Sequence, residues 1–277
     1  MTRPSRFLDR STPPHLATLI LIAGLSALAM NIFLPSLPGM AEWFGVSYAT
    51  MQQSVPLYLG LSAALQVVIG PLADRYGRRR VLLVSLSVFL LATVGTLLAP
   101  DATTFLICRM LQAVVASGMV LSRAIVRDIT SDAQAASMIG YVTMGMSLAP
   151  MIGPVIGGWL DEMAGWQANF ALLLLMGGAI TLLVWADLGE TSPPRGGSIL
   201  AQIREYPQLL TSPRFWGYAL SAAFNSGCFF AYLGGAPFVG DHIYHLAPGE
   251  VGALFALSAV GYGCGNFVAG RWSVRVG

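Results

Sequence analysis

The sequence predicts an all-α membrane protein, from its composition, a series of long apolar runs and the placement of arginine. Hydrophobic residues make up 55% of the 277 positions and charged residues 10%, whereas a soluble domain carries about 25% charged residues. Mean hydropathy is +0.68. Apolar runs fall near 15–37, 48–71, 81–99, 103–123, 136–159, 167–187, 213–237 and 248–270. Each provides the ~20 residues that a helix needs to cross a bilayer. Lipid offers no hydrogen-bond partners to a bare backbone, so such runs span as helices.

The connections between the runs alternate in charge. All 15 basic residues are arginine. The first connection holds Glu42 and no arginine, and the second holds Arg75, Arg78, Arg79 and Arg80. Asp101 stands alone in the third, Arg123 and Arg127 border the fourth, and Asp161 and Glu162 occupy the fifth. Arg195, Arg204 and Arg214 follow, then Asp241, His242, His245 and Glu250, then Arg271 and Arg275. Every arginine except Arg109 falls on the side of the N-terminal tail. Short cytoplasmic loops collect arginine, which predicts a multi-pass protein of the cell's inner (plasma) membrane with a cytoplasmic N-terminus. The first run is too long for a signal-peptide core and is expected to be retained.

These features divide the chain into a cytoplasmic tail (1–14), a six-helix half (15–187), a cytoplasmic linker (188–212) and a partial second half of two helices (213–277). The later linker, Ile199 to Leu210, reads either as an interfacial amphipathic helix or as a plain tether. A net charge of +2 with dispersed arginines excludes a nucleic-acid partner. Cys108, Cys228 and Cys264 lie inside apolar runs and read as packing residues. His242 and His245 have no ligand cluster around them, so no metal is expected. There is no nucleotide loop, nucleophile elbow or pair of catalytic acids, so neither an enzyme nor a cofactor is expected.

Residues 70–80 read Gly-Pro-Leu-Ala-Asp-Arg-Tyr-Gly-Arg-Arg-Arg. Gly70 permits close helix approach and Gly77 a turn. Asp74 can cap a helix or pair with an arginine. Gly70, Arg75 and Gly77 recur as Gly270, Arg275 and Gly277, and internal repetition of helical halves is a transporter pattern. The segment resembles the loop between the second and third helices of the major facilitator superfamily of solute carriers. The resemblance implies a two-lobed helical bundle in which Gly70, Asp74, Arg75, Gly77 and Arg78 latch the two halves in the outward-open state. Within this chain the partner expected for Asp74 is Arg123 or Arg127.

Residues 149–158 read Ala-Pro-Met-Ile-Gly-Pro-Val-Ile-Gly-Gly. Ala149, Gly153 and Gly157 form a smooth ridge at helical spacing that another helix can approach. Pro150 and Pro154 bend the helix. The run, with Gly158, resembles the fifth-helix signature of proton-coupled exporters in the superfamily, and is expected to seal the interface between the halves.

Arg109 lies within the fourth run, where a charge at the helix centre costs about 2.5–3.5 kcal/mol. Gln112, Ala113, Ala116 and Ser117 share its face. Arg-x-x-Gln-Ala resembles the superfamily's fourth-helix motif for proton or substrate coupling. A second reading has Arg109 snorkelling outward to Asp101 or Glu42. Met-Asn-Ile-Phe-Leu-Pro-Ser-Leu-Pro at 30–38, with Arg-Ala-Ile-Val-Arg-Asp at 123–128, resembles the bicyclomycin/chloramphenicol-resistance branch. That branch usually has an aspartate where this chain has Asn31, and an amide cannot carry a proton.

The resemblance implies efflux of small lipophilic drugs by alternating access, with H+ as the coupling ion and no obligate protein partner. Asn31 would contact ligand, with Tyr58, Gln66, Tyr141, Met144, Asn225 and Phe229 as further cavity candidates. Aromatic and methionine faces accommodate varied apolar ligands. A truncated, transport-incompetent chain and a metabolite uniporter or importer remain as alternatives.

Overall fold

The structure, a computed structural model, describes residues 6–130, 132–192, 207, 210–257 and 260–261. Helices follow the apolar runs: α1 (Leu16–Asn31), α2 (Leu37–Trp43), α3 (Tyr48–Gln52), α4 (Pro56–Tyr76), α5 (Arg78–Leu97), α6 (Ala102–Gln112), α7 (Ser117–Ile129), α8 (Asp132–Ala164), α9 (Gln167–Asp187) and α10 (Pro213–Tyr244). An apolar helix, α11, covers Pro248–Leu257. Among the described residues, five segments are long and apolar enough to cross a membrane: Leu16–Trp43, Tyr48–Tyr76, Arg78–Leu97, Ala102–Ile129 and Gln167–Asp187. Helices α8 and α10, of 33 and 32 residues, have the length to do so. Gly270, Arg275 and Gly277, Cys264, and most of the stretch from Ile199 to Leu210 lie outside the described residues.

Two runs expected to be continuous are broken. The first helix stops at Asn31, and a 3-10 turn at Leu34–Ser36 precedes α2. Pro35 and Pro38 cause this, since neither offers the N–H that a continuing helix would use. The fourth run is interrupted by a 3-10 turn at Ala113–Ala116. There the Ser26 hydroxyl donates to the Val115 carbonyl at 2.6 Å, tying α1 to the turn.

The six-helix half packs around α1. Leu19, Ile22, Leu25, Ile32, Phe33 and Leu37 are fully or almost fully buried against α7, α8 and α9. Near the first break, Phe44, Phe105, Trp166 and Phe170 form an aromatic cluster with centroids 5.5–5.8 Å apart, and Phe33 joins it through Phe170 at 5.9 Å.

Helix α10 meets this half only along its later part. Residues 213–229 are almost all exposed, while Leu233, Gly234, Pro237 and Gly240 are buried, packed against α2 and the first 3-10 turn. The described contacts between α10 and the first nine helices therefore lie at the arginine-poor end.

Candidate functional site

Arg109 is fully buried. Its Nη1 donates to Gln112 Oε1 and its Nη2 to the Ala29 carbonyl, both at 2.9 Å. Its Cζ lies 4.1 Å from the Tyr58 ring centroid and 4.4 Å from that of Phe33. Ala29 belongs to the last turn of α1, the negative end of the helix dipole, and that turn ends where the proline-rich break begins. The chain of donors continues from Gln112 Nε2 to Thr93 Oγ1 at 2.8 Å and from Thr93 Oγ1 to the Phe89 carbonyl at 2.7 Å.

Arg109 does not snorkel to Asp101 or Glu42. Each hydrogen bond from a charged group contributes about 1.5–3 kcal/mol, and each desolvated cation–π contact about 2 kcal/mol. Two of each exceed the insertion cost of about 2.5–3.5 kcal/mol. Asp101 is engaged elsewhere: it caps α6 by accepting from Thr104 N and Thr104 Oγ1, both at 2.9 Å. Those bonds hold its carboxyl below the usual carboxylate range.

Tyr58, Arg109 and Gln112 are thus gathered into one buried layer, and the sequence had singled out each of them. Asn31 is buried too, but its Nδ2 donates to the Ala27 carbonyl of its own helix at 2.7 Å. Among the described residues, Asn31 Oδ1 and Arg109 Nε are buried without a hydrogen-bond partner. Tyr141, Met144, Gln66, Asn225 and Phe229 are exposed, and the structure does not bring them into this layer.

The small residues of α8 divide between two faces. A Cβ on Gly153 would lie 3.1 Å from Leu28 Cδ1, and one on Gly157 would overlap the Ile32 carbonyl. The Gly153–Gly157 ridge therefore packs inside the six-helix half, a correction to its expected role between the halves. Pro154 and Gly158, one residue further round the helix, face α11. A Cβ on Gly158 would overlap the Pro248 carbonyl, and one on Gly252 the Pro154 carbonyl. A helix turns about 100° per residue, so adjacent positions serve different neighbours. The contacts between the halves are completed by Tyr48 Oη and Gln52 Nε2, which donate to the Gly234 carbonyl at 2.7 and 3.0 Å. Glu162 Oε1 accepts from Gly249 N at 2.8 Å.

At the opposite end, Asp74 pairs with Arg78 at 3.4 Å, not with Arg123 or Arg127. The two lie four residues apart, within side-chain reach across the Gly77 turn. Arg78 also pairs through Nε and Nη2 with Asp128 at the end of α7. Glu190 accepts from Arg78 N at 2.8 Å, and Arg79 Nε donates to the Leu188 carbonyl at 2.6 Å. Arg75 lies beside the Tyr76 ring, 5.4 Å from its centroid. Around Gly70 there is open space for a Cβ. Gly77 has φ +94° and ψ 140°, and an added Cβ would lie 2.9 Å from Glu190 Cδ. This conformation costs a side chain about 1–3 kcal/mol. Gly77→Ala should lower stability by that amount and weaken the Glu190 cap, which a thermal unfolding midpoint in detergent would detect.

Sequence reasoning missed Asp187. It is fully buried and accepts from Leu8 N at 2.8 Å, His15 N at 2.9 Å and Thr18 Oγ1 at 2.6 Å. A single acid closing an apolar run was the available signal. His242 pairs with Asp241 at 2.9 Å and stacks on Phe238. No metal-ligating cluster of three or more residues occurs among the described residues.

Broken helices around a buried polar layer, in a bundle of apolar spans, are the setting of a membrane transporter. Residues 19–277 match the Major Facilitator Superfamily. The chain belongs to that superfamily, and its motifs and relatives are those of the bicyclomycin/chloramphenicol-resistance type. It is 34% identical over 259 residues to the uncharacterized MFS-type transporter YdgK of Bacillus subtilis (strain 168), covering 91% of this chain and 64% of the relative. It is 34% identical to the chloramphenicol resistance protein of Pseudomonas aeruginosa, covering 80% of this chain and 54% of the relative. The chain thus spans less than two thirds of the length of these relatives. The fold is similar to the crystal structure of a bacterial homologue of the human lysosomal transporter Spinster, in an inward-facing and unoccupied conformation. The TM-score is 0.72 at 19% identity, over 94% of this chain and 63% of that one. Family and fold are those of membrane transporters of small molecules, not of enzymes.

Proposed function

We propose that this chain forms the six-helix half and the start of the second half of an exporter of small lipophilic drugs. The protein lies in the inner membrane with its N-terminus cytoplasmic and exchanges drug for protons by alternating access. The observation that carries this reading is the asymmetric closure. Tyr48, Gln52 and Glu162 hold α10 and α11 at the arginine-poor end, while residues 213–229 are almost all exposed at the other. With arginine marking the cytoplasm, this is an inward-open arrangement. The resistance protein of Pseudomonas aeruginosa supports the drug-efflux reading.

In this reading Arg109 steers coupling, the unpaired atoms beside it receive a ligand or solvent group, and the Asp74–Arg78–Asp128 network holds the cytoplasmic end when it shuts. Everted vesicles carrying the complete protein should accumulate drug when a pH gradient is imposed, and Asn31→Asp should steepen that dependence. Accumulation in neither protein would refute proton antiport. The neutral amide of Asn31 favours a second reading, uniport of a small metabolite. Equal flux with and without the gradient would support it.

A further inference from the structure

The exposed stripe of α9 ends in an unusual group. Leu175 is 72% exposed, Leu182 69% and Trp185 54%, so one apolar face of this span is turned to lipid. At the arginine-rich end of that face the Arg10 guanidinium lies over the Trp185 ring, its Cζ 4.0 Å from the centroid. Arg10 is exposed, and among the described residues no carboxylate pairs with it.

The tail segment is built to hold it there. Asp187 clips the backbone at Leu8 and His15. Leu8 adopts φ +62°, an uncommon conformation for such a residue, and leaves Phe7 and Leu8 more than half exposed. Gly189 lies against the Arg10 carbonyl so closely that a Cβ would overlap it. The one acid of the segment, Asp9, is engaged with Ser11 N at 3.0 Å and Ser11 Oγ at 2.6 Å. Arg79, the other cation at this helix end, is engaged with the Trp185 and Leu188 carbonyls.

We propose that this surface docks an anionic membrane phospholipid, its phosphate on Arg10 and its acyl chain along Leu182 and Leu175. Charge complementarity and continuity with the lipid-facing stripe carry the assignment. A tryptophan at the end of a span sits at headgroup depth, and there the positive charge stacked on it meets the phosphates. The other possible source of the same chemistry, a free phosphate ion, has no apolar stripe to use.

The test is native mass spectrometry of the purified protein equilibrated with equal amounts of phosphatidylglycerol and phosphatidylcholine. One arginine near an anionic surface contributes about a fivefold preference, so the wild type should retain phosphatidylglycerol in about that excess. Arg10→Gln should abolish the excess with an unchanged unfolding midpoint. Trp185→Leu, which keeps the apolar contact, should reduce it. Arg127→Gln, another exposed arginine, should leave it unchanged. Equal retention of the two lipids by the wild type, an undiminished excess in Arg10→Gln, or displacement of the lipid by inorganic phosphate would each overturn the proposal.

Discussion

Arg109→Ala is expected to abolish the proposed transport and to lower the unfolding temperature more than any other single change at the buried layer. The substitution removes the donor to the Ala29 carbonyl and to Gln112 Oε1, and each acceptor left buried costs about 1–3 kcal/mol. It also leaves a void between Phe33 and Tyr58, whose rings now flank the guanidinium. Arg109→Lys separates charge from geometry. An ammonium keeps the positive charge at the end of α1 but cannot span both acceptors as a planar fork or stack between two rings. The Lys protein should therefore fold with a smaller loss of stability than the Ala protein and still lose transport by about tenfold or more, the equivalent of one charge-assisted hydrogen bond. Thermal unfolding in detergent and drug accumulation in vesicles measure the two effects independently. A Lys variant with full transport would show that charge alone suffices.

Gly157→Ala is expected to be the most damaging single methyl in the protein. The added Cβ would enter the Ile32 carbonyl, a backbone atom at the α1 break that cannot rotate away. Overpacking costs about 1–3 kcal/mol where side chains can adjust, and backbone contact sets the expectation at the upper end. The same position lies beside Asn169, whose Nδ2 donates to the Gly157 carbonyl at 3.2 Å and to Ser36 Oγ at 3.0 Å. Parting α8 from α1 would therefore also undo the polar clasp that ties α9 to the break. Gly178→Ala is the matched control. It lies within α9 with open space around it, and alanine there should be neutral or stabilising by up to about 1 kcal/mol. Unfolding midpoints for the pair decide the matter, and similar values would contradict the close packing of α8 on α1.

The five described spans were legible because each carries its own run of apolar residues long enough to cross lipid. Arg109 was legible as a candidate because a charge inside an apolar run is costly, Gln112 because it shares that face, and Tyr58 as an aromatic suited to a ligand cavity. Their grouping was not, since it depends on the Ala29 carbonyl, in the last turn of α1, meeting a guanidinium 80 residues further on. The ridge on α8 was visible as a spacing, but spacing alone does not say which neighbour a face meets. Gly153 and Gly157 turned out to face α1, and Pro154 and Gly158 to face α11. Asp74 was read as a group seeking a distant arginine, whereas Arg78, four residues on, was within reach. Asp187 stayed hidden because two of its three donors are backbone amides far away in sequence, at Leu8 and His15, and amide protons leave no mark in a sequence.

That last carboxylate sets an order on biosynthesis. The residue just before the first span is held by one translated 172 positions after His15, so this clasp cannot form while the first span alone has been made. Asp187 reaches back to the Leu8 and His15 amides and the Thr18 hydroxyl only after the last residues of α9 have been made.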